Sequence, residues 1–225
     1  YDQIAQDLCI NANPAVINVV GGGIRSMNDI THICLFDIPM LCSIPGLIYL
    51  APTTCEEYFA MLAWAIRQDR KPIALRVPTG GVVHSDAPVD EDYGYRASYR
   101  VAHRGSTVAI IAAGSFYQKG EAVKALLAEQ GINATLINPR YLNEVDAETL
   151  DSLKPDHRLV VTLEDGCRDG GFGERIAAYY GTSDMKVMVG GVKKGLYDRY
   201  DPQQLMADNR LLDTQIVEDI VRVIG

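Results

Sequence analysis

Several features that would assign a protein to a broad functional class are missing from this chain of 225 residues. No apolar run is long enough to cross a bilayer, because apolar segments such as 16–20 and 108–113 have the length of one strand. No basic run occurs either, and the formal net charge is −8. An acidic surface repels phosphate backbones, so we expect a cytoplasmic protein with neither membrane nor nucleic acid as its partner.

Paired cysteines are also absent. The five cysteines are odd in number and scattered, and none forms a C-x-x-C pair: Cys9, Cys34, Cys42, Cys55 and Cys167. This pattern predicts reduced, mostly buried thiols and no disulfide framework. We expect no metal site within these residues.

Strand-like and helix-like segments alternate along the chain, which predicts an α/β fold with parallel sheets covered on both faces. The expected strands are 16–20, 47–50, 73–77, 99–102, 107–112, 133–138, 159–163 and 186–189. Among the helix starts, Thr53-Thr54-Cys55-Glu56-Glu57 has the form of a capping box. Ser115 is expected to cap a later helix, and further helices are predicted at 146–153, 172–180 and 214–224.

An acidic, turn-rich stretch divides these elements into two units. The predicted boundaries are a first unit at 1–83, a linker at 84–95 and a second unit at 96–225. The first unit has too few elements for a complete doubly wound sheet, whereas the second has enough. Since the chain also opens with Tyr1 inside a helical pattern, we expect a fragment of a longer protein.

Two motifs in a fixed order carry a family resemblance. The first is Asn28-Asp29-Ile30-Thr31-His32 with Phe36-Asp37 behind it, and the second is Leu163-Glu164-Asp165-Gly166 followed by Gly170-Gly171-Phe172-Gly173-Glu174. Together they resemble the last part of a transketolase-family enzyme, above all the 1-deoxy-D-xylulose-5-phosphate synthases. The resemblance covers nearly the whole chain. It implies an incomplete thiamine-pyrimidine-binding-type sheet followed by a transketolase C-terminal-type domain.

His32 is the candidate catalytic residue. A histidine in a loop behind a strand and the glycine run 21–23 can transfer a proton at the mouth of a cleft, or simply bind a backbone carbonyl. The resemblance favours the first role, because the family's histidine faces the reactive carbon of thiamine. Asn28 and Asp29 are candidate substrate-binding residues. Asn28 stands where the family has an aspartate, and both side chains could instead cap a turn.

Arg76 and Thr79 are the remaining candidate substrate-binding residues. Arg76 ends an expected strand, and its guanidinium could hold a phosphate by two hydrogen bonds. The family resemblance implies a second, phosphate-binding arginine three residues later. This chain has Thr79 there, so a phosphorylated acceptor is less strongly favoured.

The family's cofactor residues are missing from the chain. The glutamate that contacts the aminopyrimidine would lie before residue 1, and no Gly-Asp-Gly motif for the diphosphate-bound metal occurs. The resemblance therefore implies thiamine diphosphate and Mg²⁺ in a full-length parent, and an isolated chain that binds neither and is inactive. It implies a transferase of isoprenoid biosynthesis that acts on a sugar phosphate or aldehyde, as a homodimer or with the missing amino-terminal portion.

Two other classes remain open from sequence. One is the beta subunit of the first component of a 2-oxoacid dehydrogenase, which shares both domain types. The other is a non-catalytic dimerisation or binding module. The motif around Asp29 and His32, together with the one at 164–173, favours the synthase-like enzyme over the dehydrogenase subunit. The non-catalytic module stays open until a portion with the missing Gly-Asp-Gly motif is found.

Overall fold

Two β-sheets, one in each half of the chain, form the framework of the protein. They are described from a computed structural model that covers residues 1–25 and 28–225. The first sheet is parallel, with the order β1-β3-β2, where β1 is Val16–Val19, β2 is Ile48–Leu50 and β3 is Ile73–Arg76. Every residue of β2 and β3 is buried, as expected for short strands covered on both faces.

The second sheet has five strands and is mixed, in the order β4-β6-β5-β7-β8. Its strands are β4 Arg100–His103, β5 Thr107–Ala112, β6 Thr135–Asn138, β7 His157–Cys167 and β8 Lys186–Val192. The α/β class is confirmed, but β4 runs antiparallel to β6. Only residues 104–106 connect β4 to β5, and so short a connection reverses the chain instead of crossing over the sheet.

Seven α-helices pack around the sheets in the part of the chain that the structure describes. They are α1 Asp37–Cys42, α2 Cys55–Arg67, α3 Tyr117–Glu129, α4 Ala147–Leu153, α5 Phe172–Tyr180, α6 Pro202–Asp208 and α7 Asp213–Ile224. A π-helix, Ile4–Cys9, opens the chain, and a 3₁₀ turn, Gly114–Phe116, precedes α3. Across residues 1–25 and 28–225, none of the helices has both the length and the apolar character needed to cross a membrane.

The expected cap of α2 is confirmed, except that the Glu57 side chain binds Thr53 instead of the N-cap residue. Thr54 is the N-cap residue, and its hydroxyl accepts a hydrogen bond of 3.2 Å from the backbone N–H of Glu57. The Glu57 carboxylate accepts from the N–H and the hydroxyl of Thr53. The cap expected from Ser115 is wrong, because its hydroxyl donates to the buried carboxylate of Asp165 instead.

The two units share one continuous interior. A single apolar cluster contains Ile38, Leu47 and Ala74 of the first unit with Ile111 and Phe172 of the second. Backbone hydrogen bonds also cross the boundary: Ala51 N–H to Arg140 O at 2.7 Å, Leu142 N–H to Tyr49 O at 2.9 Å and Cys167 N–H to Leu35 O at 2.7 Å. The first unit therefore covers its apolar surface with the second.

Candidate active site

The loops that follow β1 and β3 meet at the carboxyl edge of the first sheet. Both strands are parallel neighbours, so their carboxyl ends lie side by side, the place where ligands bind in open α/β sheets. The Thr79 hydroxyl donates to Gly22 O at 3.1 Å. Gly23 N–H donates to Cys34 O at 2.9 Å, which closes the base of the loop that carries His32.

His32 is exposed in this loop and belongs to a short hydrogen-bonded chain. Its side chain is 59% accessible. The Thr31 hydroxyl donates its only proton to Asp29 Oδ1 at 2.6 Å, so it accepts from His32 Nδ1 at 2.8 Å. The proton of the neutral ring is thereby assigned to Nδ1, which leaves the lone pair on Nε2. The same hydrogen bond from Thr31 lowers the pKa of Asp29, so that side chain is an anion at neutral pH.

Asn28 fastens the His32 loop to the second unit. Its side-chain amide donates to Tyr200 O at 2.9 Å, and its backbone carbonyl oxygen accepts from Arg199 N–H at 2.6 Å. Nearby, Ile30 N–H donates to Asp198 Oδ1 at 3.2 Å. The segment 198–200 therefore sets the position of the loop, a role for which the sequence showed no signal.

Arg76 lies in the interior and not at a surface that a phosphate could reach. Its side chain is 4% accessible and bonds Asp37, with Nε 2.7 Å from Oδ2, and Asp165. Asp37 also accepts from the Tyr49 hydroxyl at 2.6 Å. Burial disfavours the charged guanidinium, but Asp165 and Asp37 outweigh that effect and raise the pKa of Arg76. In this structure Arg76 joins α1 and β3 to β7, and its part in substrate binding stays a prediction.

Arg25 is a cationic residue of the site that sequence reasoning missed. It is exposed, and a Cβ added to Gly80 would come within 2.7 Å of its Cδ and 3.2 Å of one guanidinium nitrogen. Gly80 also has a φ of +87°, which favours glycine. The arginine therefore lies across the turn next to Thr79. In the sequence, the glycine pair 80–81 was the only sign that a side chain approaches the backbone closely at this turn.

The second glycine motif binds a carboxyl group that belongs to the chain itself. Phe172 N–H and Gly173 N–H, at the start of α5, donate to the Glu164 carboxyl group at 3.1 and 2.8 Å. Burial raises the pKa of Glu164 to about 8, although these two amides act in the opposite direction. A Cβ on Gly171 would lie 2.6 Å from the same carboxyl group. The motif is therefore structural.

Comparison with protein families identifies both units of this two-sheet fold. Residues 1–82 match the model described as "Transketolase, pyrimidine binding domain", and residues 97–208 match "Transketolase, C-terminal domain". The chain belongs to the transketolase family.

Curated relatives of the chain are 1-deoxy-D-xylulose-5-phosphate synthases. That of Clostridium beijerinckii is 30% identical over 98% of this chain and 36% of the relative, and that of Clostridium acetobutylicum is 34% identical over 89% and 32%. The chain thus spans about a third of the length of these relatives.

Solved structures share the fold at low sequence identity. A "Split gene transketolase, inactive beta4 tetramer" has a TM-score of 0.84 at 20% identity, covering 99% of this chain and 71% of that one. A transketolase mutant from Pichia Stipitis has a TM-score of 0.73 at 14% identity, covering 96% and 31%.

Among residues 1–25 and 28–225, the carboxylates at the candidate site do not fit the metal ion of the family's thiamine diphosphate site. Asp37 and Asp165, the buried carboxylates at the base of the candidate site, are engaged by Arg76 and cannot also hold a metal ion. The sequence has no Gly-Asp-Gly motif. The chain contributes one side of a candidate active site, formed by the exposed His32 loop and the turn at Thr79 and Gly80.

Proposed function

We propose that this chain is the carboxyl-terminal part of a thiamine diphosphate-dependent transferase similar to 1-deoxy-D-xylulose-5-phosphate synthase. Such an enzyme joins a 2-oxoacid or ketose donor to an aldehyde acceptor by a new carbon–carbon bond. The observation that carries the proposal is His32, exposed at the carboxyl edge of a pyrimidine-binding-type sheet with the lone pair of its neutral ring on Nε2. The diphosphate-binding residues come from chain outside these 225 residues.

In this proposal each loop residue has a separate task. His32 Nε2 takes a proton from, or returns it to, an oxygen of the bound substrate. Asp29 and Thr31 fix the ring and its tautomer, and Asn28 anchors the loop on segment 198–200. The turn at Thr79, with Arg25 across it, faces the acceptor.

A partner is part of the proposal. The split-gene transketolase neighbour is described as inactive in its beta4 form, which supports the expectation that this chain works only with a complementary portion. A non-catalytic dimerisation module would need no such portion. The beta subunit of a 2-oxoacid dehydrogenase is not favoured by any contact in the site.

The test compares the chain alone with the reconstituted enzyme. The intact mass of the native protein is measured first, and the polypeptides that bind to it are then identified. One of these measurements should reveal a portion that carries a Gly-Asp-Gly motif. Calorimetry with thiamine diphosphate and Mg²⁺ should show binding only when both portions are present, together with turnover of a 2-oxoacid and an aldehyde. Micromolar binding of the cofactor by the chain alone, or no turnover by the pair, would contradict the proposal.

A further inference from the structure

Three side chains of different chemistry meet at the start of α2, away from the His32 loop. Cys55 is the first residue of the helix, Glu56 is the second, and His84 lies on the segment that follows β3. One potential ligand atom from each lies within 4.8 Å of the others. His84 Nδ1 and Glu56 Oε1 are 2.6 Å apart. We call these three residues the α2 cluster.

Backbone contacts hold the α2 cluster together. Cys55 N–H donates to Val83 O at 2.9 Å, and Ser85 N–H donates to Glu56 Oε2 at 3.0 Å. One carboxylate oxygen is thus oriented by an amide while the other faces the histidine. Such outer contacts commonly orient metal ligands.

The donor set of the cluster selects one class of metal. A thiolate and an imidazole favour borderline-soft ions, whereas Mg²⁺ and Ca²⁺ prefer oxygen ligands. We propose that Cys55, Glu56 and His84 bind one Zn²⁺ ion, with a water molecule as the fourth ligand. The thiolate and the carboxylate together neutralise the dication. On binding, the Cys55 thiol releases its proton to solvent, and the His84 ring keeps its proton on the nitrogen that does not bind zinc.

The required geometry lies within side-chain reach. Zinc–ligand bonds of about 2.0–2.3 Å in a tetrahedron place neighbouring ligand atoms about 3.3–3.6 Å apart. The His84–Glu56 contact must therefore open from 2.6 Å, and the widest separation must close from at most 4.8 Å. His84 can turn freely, since its side chain is 70% accessible. The helix start, capped by Thr54, keeps the other two ligands in place.

The proposed zinc would fasten the segment after β3 to α2. Cys55 also lines a cavity of about 200 Å³ whose walls include Tyr58, Phe59, Pro78 and Val83. The ion would close one end of this apolar cavity. It would also fix the chain where the first unit leads towards the second. This role is independent of the proposed transferase activity.

Competition with a chromophoric chelator tests the site on the purified 225-residue chain. The wild type should bind one equivalent of Zn²⁺ with a submicromolar dissociation constant. Cys55→Ser and His84→Ala should each weaken binding at least about tenfold, because each removes one of three protein ligands. Cys9→Ser and His103→Ala remove a cysteine and a histidine elsewhere and should bind as the wild type does. Mg²⁺ should not compete.

Cobalt provides a second readout of the same site. Co²⁺ bound to the wild type should show a thiolate-to-metal charge-transfer band, and the band should vanish in Cys55→Ser and persist in Cys9→Ser. Equal Zn²⁺ affinity in the wild type, Cys55→Ser and His84→Ala would overturn the proposal. So would a wild type that binds less than half an equivalent, which would leave the α2 cluster as a hydrogen-bonded surface contact.

Discussion

Arg76 shows how strongly burial decides the role of a single side chain. At the end of a strand, it has the chemistry of a phosphate ligand, but two carboxylates enclose it. One of these, Asp165, is 89 positions away in sequence and belongs to the other unit. Removing one member of a buried ion network leaves charges without partners, which costs far more than losing an exposed pair.

We therefore expect Arg76→Met to destabilise the chain severely. It leaves Asp37 and Asp165 buried without their cation, and we predict a loss of about 3–5 kcal/mol in the free energy of unfolding. The matched control, Arg104→Met, breaks an exposed pair with Asp156 and should cost about 0–1 kcal/mol. Urea denaturation measures both variants. Equal losses would mean that the network does not stabilise the fold.

His32 leads to the opposite expectation, because its side chain is exposed. In the reconstituted enzyme, His32→Ala should lower turnover by about 10²-fold or more, since a positioned general acid–base contributes that much. The thermal midpoint should barely change. His103→Ala, another histidine replacement, should leave turnover intact. Near-normal turnover of His32→Ala would remove this residue from the mechanism.

In the proposed transferase, Thr79 is the residue expected to influence which acceptor is selected. An arginine–phosphate contact contributes about 1.5–3 kcal/mol, against about 1 kcal/mol for a neutral hydroxyl. We expect weak preference for glyceraldehyde 3-phosphate over glyceraldehyde, and about a tenfold rise in that preference in Thr79→Arg. The ratio of the two kcat/KM values measures it. A strong preference that Thr79→Arg leaves unchanged but Arg25→Ala abolishes would place the phosphate on Arg25.

Residue patterns predicted less of the site than of the fold. The motif at 28–32 indicated the His32 loop, and the structure places that histidine in an exposed loop at a sheet edge. No local pattern could show that Arg76 is enclosed, or that Arg25 crosses the turn at Gly80. Both depend on contacts between distant segments. The α2 cluster was missed for the same reason, since His84 is 28 positions from Glu56.

At the scale of elements, the start of α5 is the most constrained. Its first two amides point at the Glu164 carboxyl group, and Gly173 leaves no room for a side chain because a Cβ would lie 2.4 Å from Thr162 Oγ1. The two effects on Glu164 oppose each other. Burial favours the neutral acid, whereas the helix amides favour the anion.

The pH dependence of stability shows which effect is larger. With a pKa of about 8 in the folded state and about 4.3 in the unfolded state, Glu164 holds its proton only in the folded chain between these values. The free energy of unfolding should then fall as pH rises through this window, by at most about 1.4 kcal/mol per pH unit, and level off above it. Glu164→Gln should lack this slope in urea denaturation. Parallel profiles would show that the amides keep Glu164 ionised.

Element positions were largely predictable because hydrophobic periodicity and caps are local signals. The segment expected as a helix at 172–180 coincides with α5. The strand expected to end at residue 163 continues to Cys167, because Cys167 pairs with Val192 of β8 beyond an irregularity in the register. The helices α1 and α6 were not predicted, and both are short. Their stability comes from packing, which sequence patterns do not show.

At the scale of the whole molecule, the two units are not independent bodies. The first sheet has only three strands, and such a small sheet is stable only when its faces are covered. One apolar cluster, the ion network of Arg76 and several backbone hydrogen bonds cross the boundary. The segment between the units at 77–99 contains no helix or strand. Cooperation between the units therefore comes from their interface and not from the connecting chain.

We therefore expect the 225-residue chain to unfold in one step. At about 0.7 kcal/mol per residue near 60 °C, the calorimetric enthalpy of 225 residues should be about 160 kcal/mol. The van't Hoff enthalpy should equal it, because neither unit survives once the shared interior opens. Arg76→Met should lower the single midpoint without splitting it. Two resolved transitions, or a van't Hoff enthalpy near half the calorimetric value, would show that the units fold separately and that the interface contributes little.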